Sequence, residues 1–339
     1  MDRMNPMSQL QFMMEQTTPA LAYREGEDFA AWRTRAERKL LELLGADGYR
    51  MVDPNFRIEW RSRREGYTEI RFVIAVEERF DMPCHLLLPD RVDHPPVIIC
   101  LQGHSTGMHI SLGQPRFPGD EESIAGGRDF GVQAVRLGMA ALCLEQRYFG
   151  ERSEHPDVPG PECWVPSMTE LMLGRSALAG RAWDVSRALD AVERHFPAVD
   201  TSRVGIMGNS GGGTASWYTA CLEPRIGAVM PSCSICTYRK SIAVIRHCMD
   251  QHIPGVLRWF EMADLAGLIA PRPLVVVAGR DDEIFPLDGV REAFDRIREL
   301  YAAAGAPDAC RLVIGEGGHR FYPEQGWPAF LALTGWDTH

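Results

Sequence analysis

The stretch 203–213, with the sequence RVGIMGNSGGG, constrains the fold of this chain more than any other segment. Its first half, Val204 to Met207, is a short apolar run that predicts a buried strand, and 214–222 predict a helix. The turn between them matches the pattern G-x-S-x-G, with Ser210 at its apex. Glycine two positions before and after the serine removes side chains that would collide in so tight a turn. We therefore predict a serine hydroxyl that is held out above a helix N-terminus, where N–H groups stabilise developing negative charge.

A glycine-rich turn between a strand and a helix is also typical of phosphate-binding loops. The sequence around Ser210 has no G-x-x-x-x-G-K-[ST] pattern, and no lysine lies near the turn. These two features favour a nucleophile over a phosphate loop. A serine alone is a poor nucleophile, because it needs a base to take its proton and an acid to orient that base.

The base is expected in a loop after a late strand. Of the ten histidines, only His319 comes directly after the final predicted strand, 312–314. The glycines before it allow the turn to place an imidazole above the carboxyl edge of the sheet. An ordinary surface-loop histidine is the alternative interpretation, but we predict that His319 is the base.

The orienting acid is expected one strand earlier. The predicted strand 274–278 leads into GRDDEIFP, in which Asp281, Asp282 and Glu283 compete for this role. A run of acidic residues after a strand also occurs in solvated turns. Because successive side chains after a strand point to opposite sides, neighbouring residues cannot both reach His319.

The rest of the chain predicts an α/β fold. Continuous apolar runs begin at Val97 and alternate with helical patterns, which indicates a mostly parallel sheet flanked by helices. Before them, 56–88 alternates as antiparallel strands do, and 25–44 carries a helical pattern that ends at Gly45. Residues 1–24 are expected to be an extended arm. The predicted segments are an N-terminal arm and helical extension at 1–54, a catalytic domain at 55–339, and within it a small lid insertion at about 234–270.

The predicted helix at 25–44 places apolar side chains such as Trp32 and Leu40 on one face. This face has to cover either the main domain or a second subunit. A homo-oligomer is therefore one of the two arrangements that the sequence allows. Helices at about 167–196 are expected against the sheet, after a long loop at 145–165.

Composition argues against several classes of protein. The 339 residues are 45% hydrophobic and 24% charged, which is a globular profile. The net charge of −10 argues against nucleic acid and against an anionic membrane as partners. No stretch approaches ~18 apolar residues, and the N-terminus lacks the pattern of a signal peptide. The nine cysteines, several of them in predicted core elements, are typical of a reduced, cytoplasmic protein.

No metal site is predicted. The C-x-x-C at 233–236 lacks the second pair that a zinc site needs, so coincidence is favoured over a redox pair. Two histidine pairs lack the adjacent carboxylate of an H-E-x-x-H zinc helix, namely His104 with His109 and His247 with His252.

The order Ser210, then the acid, then His319 resembles the order in the α/β-hydrolase superfamily. The likeness covers about 55–335 and extends to the branch of acetyl xylan esterases and dienelactone-hydrolase-like proteins. The turn EQRYFGER at 145–152 is similar to that branch's D-x-R-G-x-G-x-R. It departs from the pattern with glutamate in place of the aspartate and Tyr148 in place of the first glycine.

The resemblance also distinguishes between the competing acids. In that branch, the strand before the acid leads into G-x-x-D-x-x-x-P, and Gly279, Asp282 and Pro286 match this pattern. We therefore predict that Asp282, rather than Asp281, orients the base.

The resemblance implies a serine hydrolase that cleaves carboxylic esters through an acyl-enzyme, without a metal or organic cofactor. Short acyl esters of carbohydrates or other small alcohols are the implied small-molecule substrates. Gly211 and His104 are implied to bind the oxyanion through their backbone N–H groups. His104 lies in a loop that reads QGHS, and Gln102 stands where the family usually has histidine.

Four aromatic side chains are candidates for the substrate pocket, although each is equally well explained as a packing residue. Trp164 lies in the long loop, and Tyr238, His247 and Trp259 lie in the insertion. Two other classes of protein remain open: a serine peptidase of the prolyl-oligopeptidase type, and a non-catalytic binding protein on a hydrolase scaffold. The first usually carries a large β-propeller, for which 339 residues leave no room. All three residue types of a triad are present, which argues against the second.

Overall fold

A computed structural model describes residues 4–336, and their strands form a single nine-stranded sheet. In chain order the strands are β1 (Arg57–Arg64), β2 (Tyr67–Glu77), β3 (Phe80–Pro89), β4 (Pro96–Leu101), β5 (Ala140–Leu144), β6 (Asp200–Asn209), β7 (Ala228–Ser232), β8 (Leu274–Gly279) and β9 (Cys310–Gly315). Across the sheet they follow the order β1-β2-β3-β5-β4-β6-β7-β8-β9. Pairing is antiparallel from β1 to β5 and parallel from β5 to β9. The predicted α/β fold with a mostly parallel sheet is confirmed.

Helices precede the sheet and connect its parallel strands. They are α1 (Pro6–Gln16), α2 (Phe29–Leu44), α3 (Asp120–Ser123), α4 (Phe130–Arg136), α5 (Trp164–Met172), α6 (Ala177–His195), α7 (Gly211–Leu222), α8 (Ala266–Ile269), α9 (Leu287–Ala303) and α10 (Pro323–Thr334). No helix within residues 4–336 is both long enough and apolar enough to span a bilayer.

The sheet separates two apolar cores. Along β4, Val97, Ile99 and Leu101 belong to the larger core, whereas Ile98 and Cys100 belong to the smaller one. Residues of α2, α6, α7, α8 and α9 complete the larger core, and residues of α4 and α10 complete the smaller one. The strand is therefore apolar on both faces, which explains why its sequence does not alternate.

Helix α2 covers the larger core with one face, as its periodicity predicts. It begins after Asp28, whose side chain accepts a hydrogen bond from the N–H of Ala31 at 3.0 Å, and it ends at Gly45 in the left-handed region (φ 64°). Trp32 is 1% exposed, and a Cβ on Gly267 would lie 2.3 Å from its ring. Of the two predicted positions for this helix, the structure has the one on the main domain. The division into segments at 54 stays a prediction.

The expectation of an extended arm at 1–24 is wrong for its central part. Pro6–Gln16 is helical, because Asn5 caps it by accepting a hydrogen bond from the N–H of Met7 at 2.9 Å and proline fits the first turn. Because none of the residues of α1 is buried, this helix needs no apolar stripe, and its sequence shows none. After α1 the chain reaches the insertion, where the N–H of Ala20 donates to the carbonyl of Arg258 at 2.9 Å.

The helices predicted at about 167–196 are α5 and α6. Ser176 separates them as the N-cap of α6, and its hydroxyl accepts from the N–H of Ala179 at 3.2 Å. The insertion at 234–270 contains short helical turns and α8, and it lies between β7 and β8. Both α5 and the insertion therefore belong to connections that leave the carboxyl edge of the sheet, which is also the edge that carries Ser210.

Candidate active site

Ser210 lies between β6 and α7 in a conformation that is rare for a residue with a side chain. Its φ is 56° and its ψ is −124°. A Cβ on Gly208 would lie 2.4 Å from the backbone of Gly212, and a Cβ on Gly212 would lie 2.1 Å from the carbonyl oxygen of Leu101. The two glycines of the motif thus permit backbone contacts that no other residue allows. Strained backbone of this kind is typical of functional sites.

Asp282 and His319 form a hydrogen-bonded pair. The Nδ1 of His319 is 2.8 Å from the Oδ2 of Asp282, and Oδ1 accepts from the backbone N–H groups of Ile284 and Phe285 at 2.9 and 3.1 Å. Burial alone would raise the pKa of Asp282, but these hydrogen bonds hold it below its usual value. Because an ionised carboxylate only accepts, Nδ1 of His319 donates this hydrogen bond, and its Nε2 lies on the opposite side of the ring. Asp281 is exposed and makes no such contact.

The pair is positioned by two neighbouring parallel strands. Gly279 at the end of β8 lies opposite Gly315 at the end of β9, and a Cβ on Gly279 would lie 2.2 Å from the carbonyl oxygen of Gly318. This close approach brings the two loops together. The ring of Phe285 stacks on that of His319 with 5.9 Å between centroids. Within residues 4–336, the hydroxyl of Ser210 makes no side-chain hydrogen bond, so the structure joins Asp282 to His319 and leaves Ser210 outside this pair.

The loop after β4 packs directly against the serine. A Cβ on Gly103 would lie 3.0 Å from the Cβ of Ser210, and the ring of His104 would lie 2.7 Å from a Cβ on Gly211. In the described part of the chain, the backbone N–H groups of His104 and Gly211 have no acceptor, which for Gly211 is expected of the first N–H of a helix. Gln102, in the place of the family's histidine, donates to the hydroxyl of Ser111 at 2.7 Å and so holds this loop.

The side chain of His104 belongs to a charged cluster that the sequence did not indicate. Its Nε2 donates to the carboxylate of Asp250 at 3.0 Å, and Arg181 donates to the same carboxylate at 2.6 Å. Burial would lower the pKa of His104, but the charge of Asp250 raises it to about 9. An imidazolium therefore lies beside Gly211 at neutral pH. Because Asp250 is 146 positions from His104 along the chain, no spacing in the sequence links them.

The 145–152 turn is held by a buried ion cluster that accounts for the motif. Arg147 binds both carboxylate oxygens of Asp184 at 2.9 and 2.7 Å, and Arg152 binds the same carboxylate at 2.7 Å. Tyr148 has φ 74°, so the glycine of the family pattern suits this position better than a bulky residue. The buried carboxyl of Glu145 accepts from the N–H of Met108 at 2.9 Å, and burial raises its pKa to about 8.

The four predicted pocket residues have different surroundings. Trp164 is 44% exposed at the start of α5. His247 lies 5.3 Å from the ring of Phe285, which stacks on His319, and burial lowers its pKa to about 4. The structure does not bring the other two to the site. Tyr238 is buried, with its hydroxyl bonded to that of Tyr218, and Trp259 packs under the ammonium group of Lys39 at 4.2 Å. These last two are packing residues.

Two groups of side chains among residues 4–336 combine ligand types that bind metals. The first, Cys233 with Asp282 and His319, contains the hydrogen-bonded pair itself. The second consists of His104, Cys163, Cys248 and Asp250, whose ligand atoms all lie within 4.8 Å of one another. His109, which the sequence pairs with His104, contributes to neither group and donates instead to Asp120 at 2.8 Å.

The sequence matches the profile of the Abhydrolase family over residues 4–314. It is 27% identical over 298 residues to the Bacillus subtilis protein named "Putative hydrolase YtaP", an alignment that covers 84% of this chain and 94% of that protein.

Two solved structures share the fold at low identity. One, from Bacteroides fragilis, is described as a "putative acetyl xylan esterase"; it superposes with a TM-score of 0.76 at 17% identity over 97% of this chain and 89% of its own. The other is a glucuronoyl esterase from Solibacter usitatus, with a TM-score of 0.72 at 18% identity over 94% of this chain and 97% of its own. At these identities the likeness shows the fold.

Proposed function

The chain belongs to the Abhydrolase family, and from this premise we propose that it is a serine hydrolase of carboxylic esters. The observation that carries the proposal is the hydrogen bond of 2.8 Å between Asp282 and His319, on loops that follow neighbouring strands. The free hydroxyl of Ser210, in its strained turn, supplies the third member of a triad.

In the proposed mechanism, Ser210 attacks the ester carbonyl while Nε2 of His319 takes its proton. The carboxylate of Asp282 keeps the imidazole in the required tautomer and stabilises the imidazolium that forms. The backbone N–H groups of Gly211 and His104 bind the oxyanion. His319 then protonates the leaving alcohol, and a water molecule activated by the same residue hydrolyses the acyl-enzyme.

We propose short acyl esters of carbohydrate hydroxyl groups as substrates. The name of the Bacteroides fragilis protein supports this class. So does Trp164, an aromatic side chain that is 44% exposed and follows Cys163, whose sulfur lies within 4.8 Å of a ring nitrogen of His104. An exposed indole offers an apolar face on which a sugar ring can pack. Replacing Trp164 with alanine should therefore raise KM for acetylated sugars and leave p-nitrophenyl acetate hydrolysis nearly unchanged.

The catalytic assignment is tested by replacing Ser210 with alanine. We expect loss of p-nitrophenyl acetate hydrolysis and of labelling by a fluorophosphonate probe, with an almost unchanged melting temperature. A variant that still turns over the ester would refute the role of Ser210. A wild-type protein without an adduct on Ser210 would instead favour a binding protein on a hydrolase scaffold.

The substrate class is tested with a panel of acetylated sugars, longer acyl esters, methyl esters of glucuronic acid and aminoacyl-prolyl amides. We expect the highest kcat/KM for acetylated sugars. A preference for glucuronate esters would place the sugar on the acyl side of the bond and contradict this part of the proposal. Faster cleavage of the amides would instead indicate a peptidase.

A further inference from the structure

Two cysteines from distant parts of the chain meet beside His104. Cys163 immediately precedes α5 and is 1% exposed, whereas Cys248 lies in the insertion and is partly exposed. Their Sγ atoms are 2.6 Å apart, although 85 positions separate them in the chain. The insertion and α5 therefore touch through a pair of thiols.

The distance between the two sulfurs distinguishes a dithiol from a zinc site. Two thiolates on one tetrahedral zinc lie about 3.8 Å apart, because each Zn–S bond is about 2.3 Å long. A disulfide bond is about 2.05 Å long. The 2.6 Å between the sulfurs of Cys163 and Cys248 is much closer to the length of a disulfide bond than to the separation of two thiolates on zinc. This holds even though His104 and Asp250 complete a set of zinc-binding residue types.

The surroundings favour a thiolate at one of the two sulfurs. The hydrogen bond with Cys163 and the imidazolium of His104 hold the pKa of Cys248 well below its usual range, against the effect of burial. Two positive groups, His104 and Arg181, share the single carboxylate of Asp250 beside this sulfur, so a thiolate balances the charge of the cluster. A partly exposed thiolate next to a second thiol is the arrangement of a redox-sensitive cysteine.

We propose that Cys248 and Cys163 are a site of reversible oxidation, with Cys248 as the reactive thiol and Cys163 as the resolving thiol. A peroxide is the oxidant. The thiolate of Cys248 attacks one peroxide oxygen, the O–O bond breaks, and a sulfenic acid and hydroxide form. The thiol of Cys163 then attacks this sulfur, and the S–O bond breaks with loss of water. In total, two thiols and one hydrogen peroxide give one disulfide and two water molecules.

This disulfide would fasten the start of α5 to the insertion. Trp164 follows directly on one side, and His104 loses its thiolate neighbour on the other. Oxidation therefore changes the surroundings of the loop that packs against Ser210. A small-molecule thiol such as dithiothreitol reverses the reaction by exchange.

The test uses the whole protein and reads thiols by mass spectrometry, so it is independent of ester hydrolysis. After treatment with hydrogen peroxide and before alkylation, we expect an intact mass lower by about 2 Da; after alkylation of the remaining thiols and digestion, we expect a peptide cross-link between Cys163 and Cys248. The melting temperature should rise by about 5 °C, because the bond closes a long loop. Dithiothreitol should restore both values.

Cys310 is the matched control, because it is also partly exposed but burial raises its pKa to about 11. At pH 7, iodoacetamide should label Cys248 at least ~10-fold faster than Cys310. The variant Cys163→Ser should retain a sulfenic acid on Cys248 that dimedone traps, and Cys310→Ser should still form the cross-link. A peroxide-treated protein without the cross-link, together with equal labelling of both thiols, would overturn the proposal. So would one tightly bound zinc ion per chain that blocks labelling of Cys248 until a chelator removes it.

Discussion

Replacing Asp282 with asparagine separates the two candidate acids by changing the tautomer of His319. In the wild type, Oδ1 of Asp282 accepts from the N–H groups of Ile284 and Phe285 at 2.9 and 3.1 Å, and Oδ2 faces Nδ1 of His319 at 2.8 Å. An asparagine keeps its oxygen on the two N–H donors, because the opposite orientation would place its NH₂ group against them. Its NH₂ group then donates to Nδ1, and the imidazole proton moves to Nε2.

The expected loss of activity follows from this tautomer. With the proton on Nε2, His319 cannot take the proton of Ser210. In a serine protease triad the corresponding change lowers kcat about 10⁴-fold. At ~1.36 kcal/mol for each factor of ten, this corresponds to about 5 kcal/mol of transition-state stabilisation. We expect Asp282→Asn to lower kcat between about 10² and 10⁴-fold.

The assay is the steady-state hydrolysis of p-nitrophenyl acetate by the purified variant, with thermal unfolding as the check on folding. Asp281→Asn is the matched control, because Asp281 is exposed and has the same chemistry one position earlier. It should keep kcat within about threefold of the wild type. If Asp282→Asn keeps a tenth or more of the wild-type kcat, or if Asp281→Asn is the crippling change, the assignment is wrong.

Three further predictions concern stability. Gly212→Ala places a Cβ 2.1 Å from a backbone carbonyl oxygen and should lower the free energy of unfolding by about 3 kcal/mol in urea titrations, whereas Gly126→Ala, with open space around it, should be nearly neutral. Asp184→Asn leaves Arg147 and a second buried arginine short of a counter-charge and should cost about 3–5 kcal/mol by the same measurement. His104 has its pKa raised to about 9, so its contribution to stability is full below pH ~6.5 and is lost as the pH rises through 9. Unfolding free energies at pH 7 and 9.5 should therefore differ by about 2 kcal/mol more in the wild type than in His104→Gln.

The residues that a local pattern describes were predictable from the sequence. Ser210, Asp282 and His319 each follow an apolar strand directly, and glycines mark the tight turns. The structure shows the physical reason, because backbone atoms occupy the space that a Cβ on Gly208 or Gly279 would need. A short stretch of sequence therefore records both the strand and the turn.

The charged cluster beside His104 was not predictable in the same way. Asp250 and Arg181 reach it from other parts of the chain, 146 and 77 positions away, by tertiary packing that leaves no periodic pattern. The two thiols of Cys163 and Cys248 meet for the same reason. Only the three-dimensional arrangement of α5, α6 and the insertion brings these groups together.

Aromatic residues in the insertion show a different limit. Tyr238 and Trp259 are apolar enough for either a pocket or a core, and sequence alone gives them no direction. The structure buries Tyr238 and packs Trp259 against α2. Helix α1 was missed because its apolar residues do not fall on one buried face, although Asn5 and Pro6 provide a local start signal.

The docking of α2 has a consequence for synthesis of the chain on the ribosome. The guanidinium of Arg33 binds the carbonyl oxygens of Leu268 and Ala270, which follow it by 235 and 237 positions, and Gly267 makes room for Trp32. At about 5–20 residues per second, roughly 10–50 s pass between the synthesis of α2 and that of its partner surface. During this interval the surface around Gly267 does not yet exist, and of the described contacts of Trp32 only those with neighbouring residues such as Tyr23 can form. Helix α2 is therefore made long before the surface on which it docks, and the translation rate sets how long the part of its apolar face that meets this surface stays exposed to other molecules.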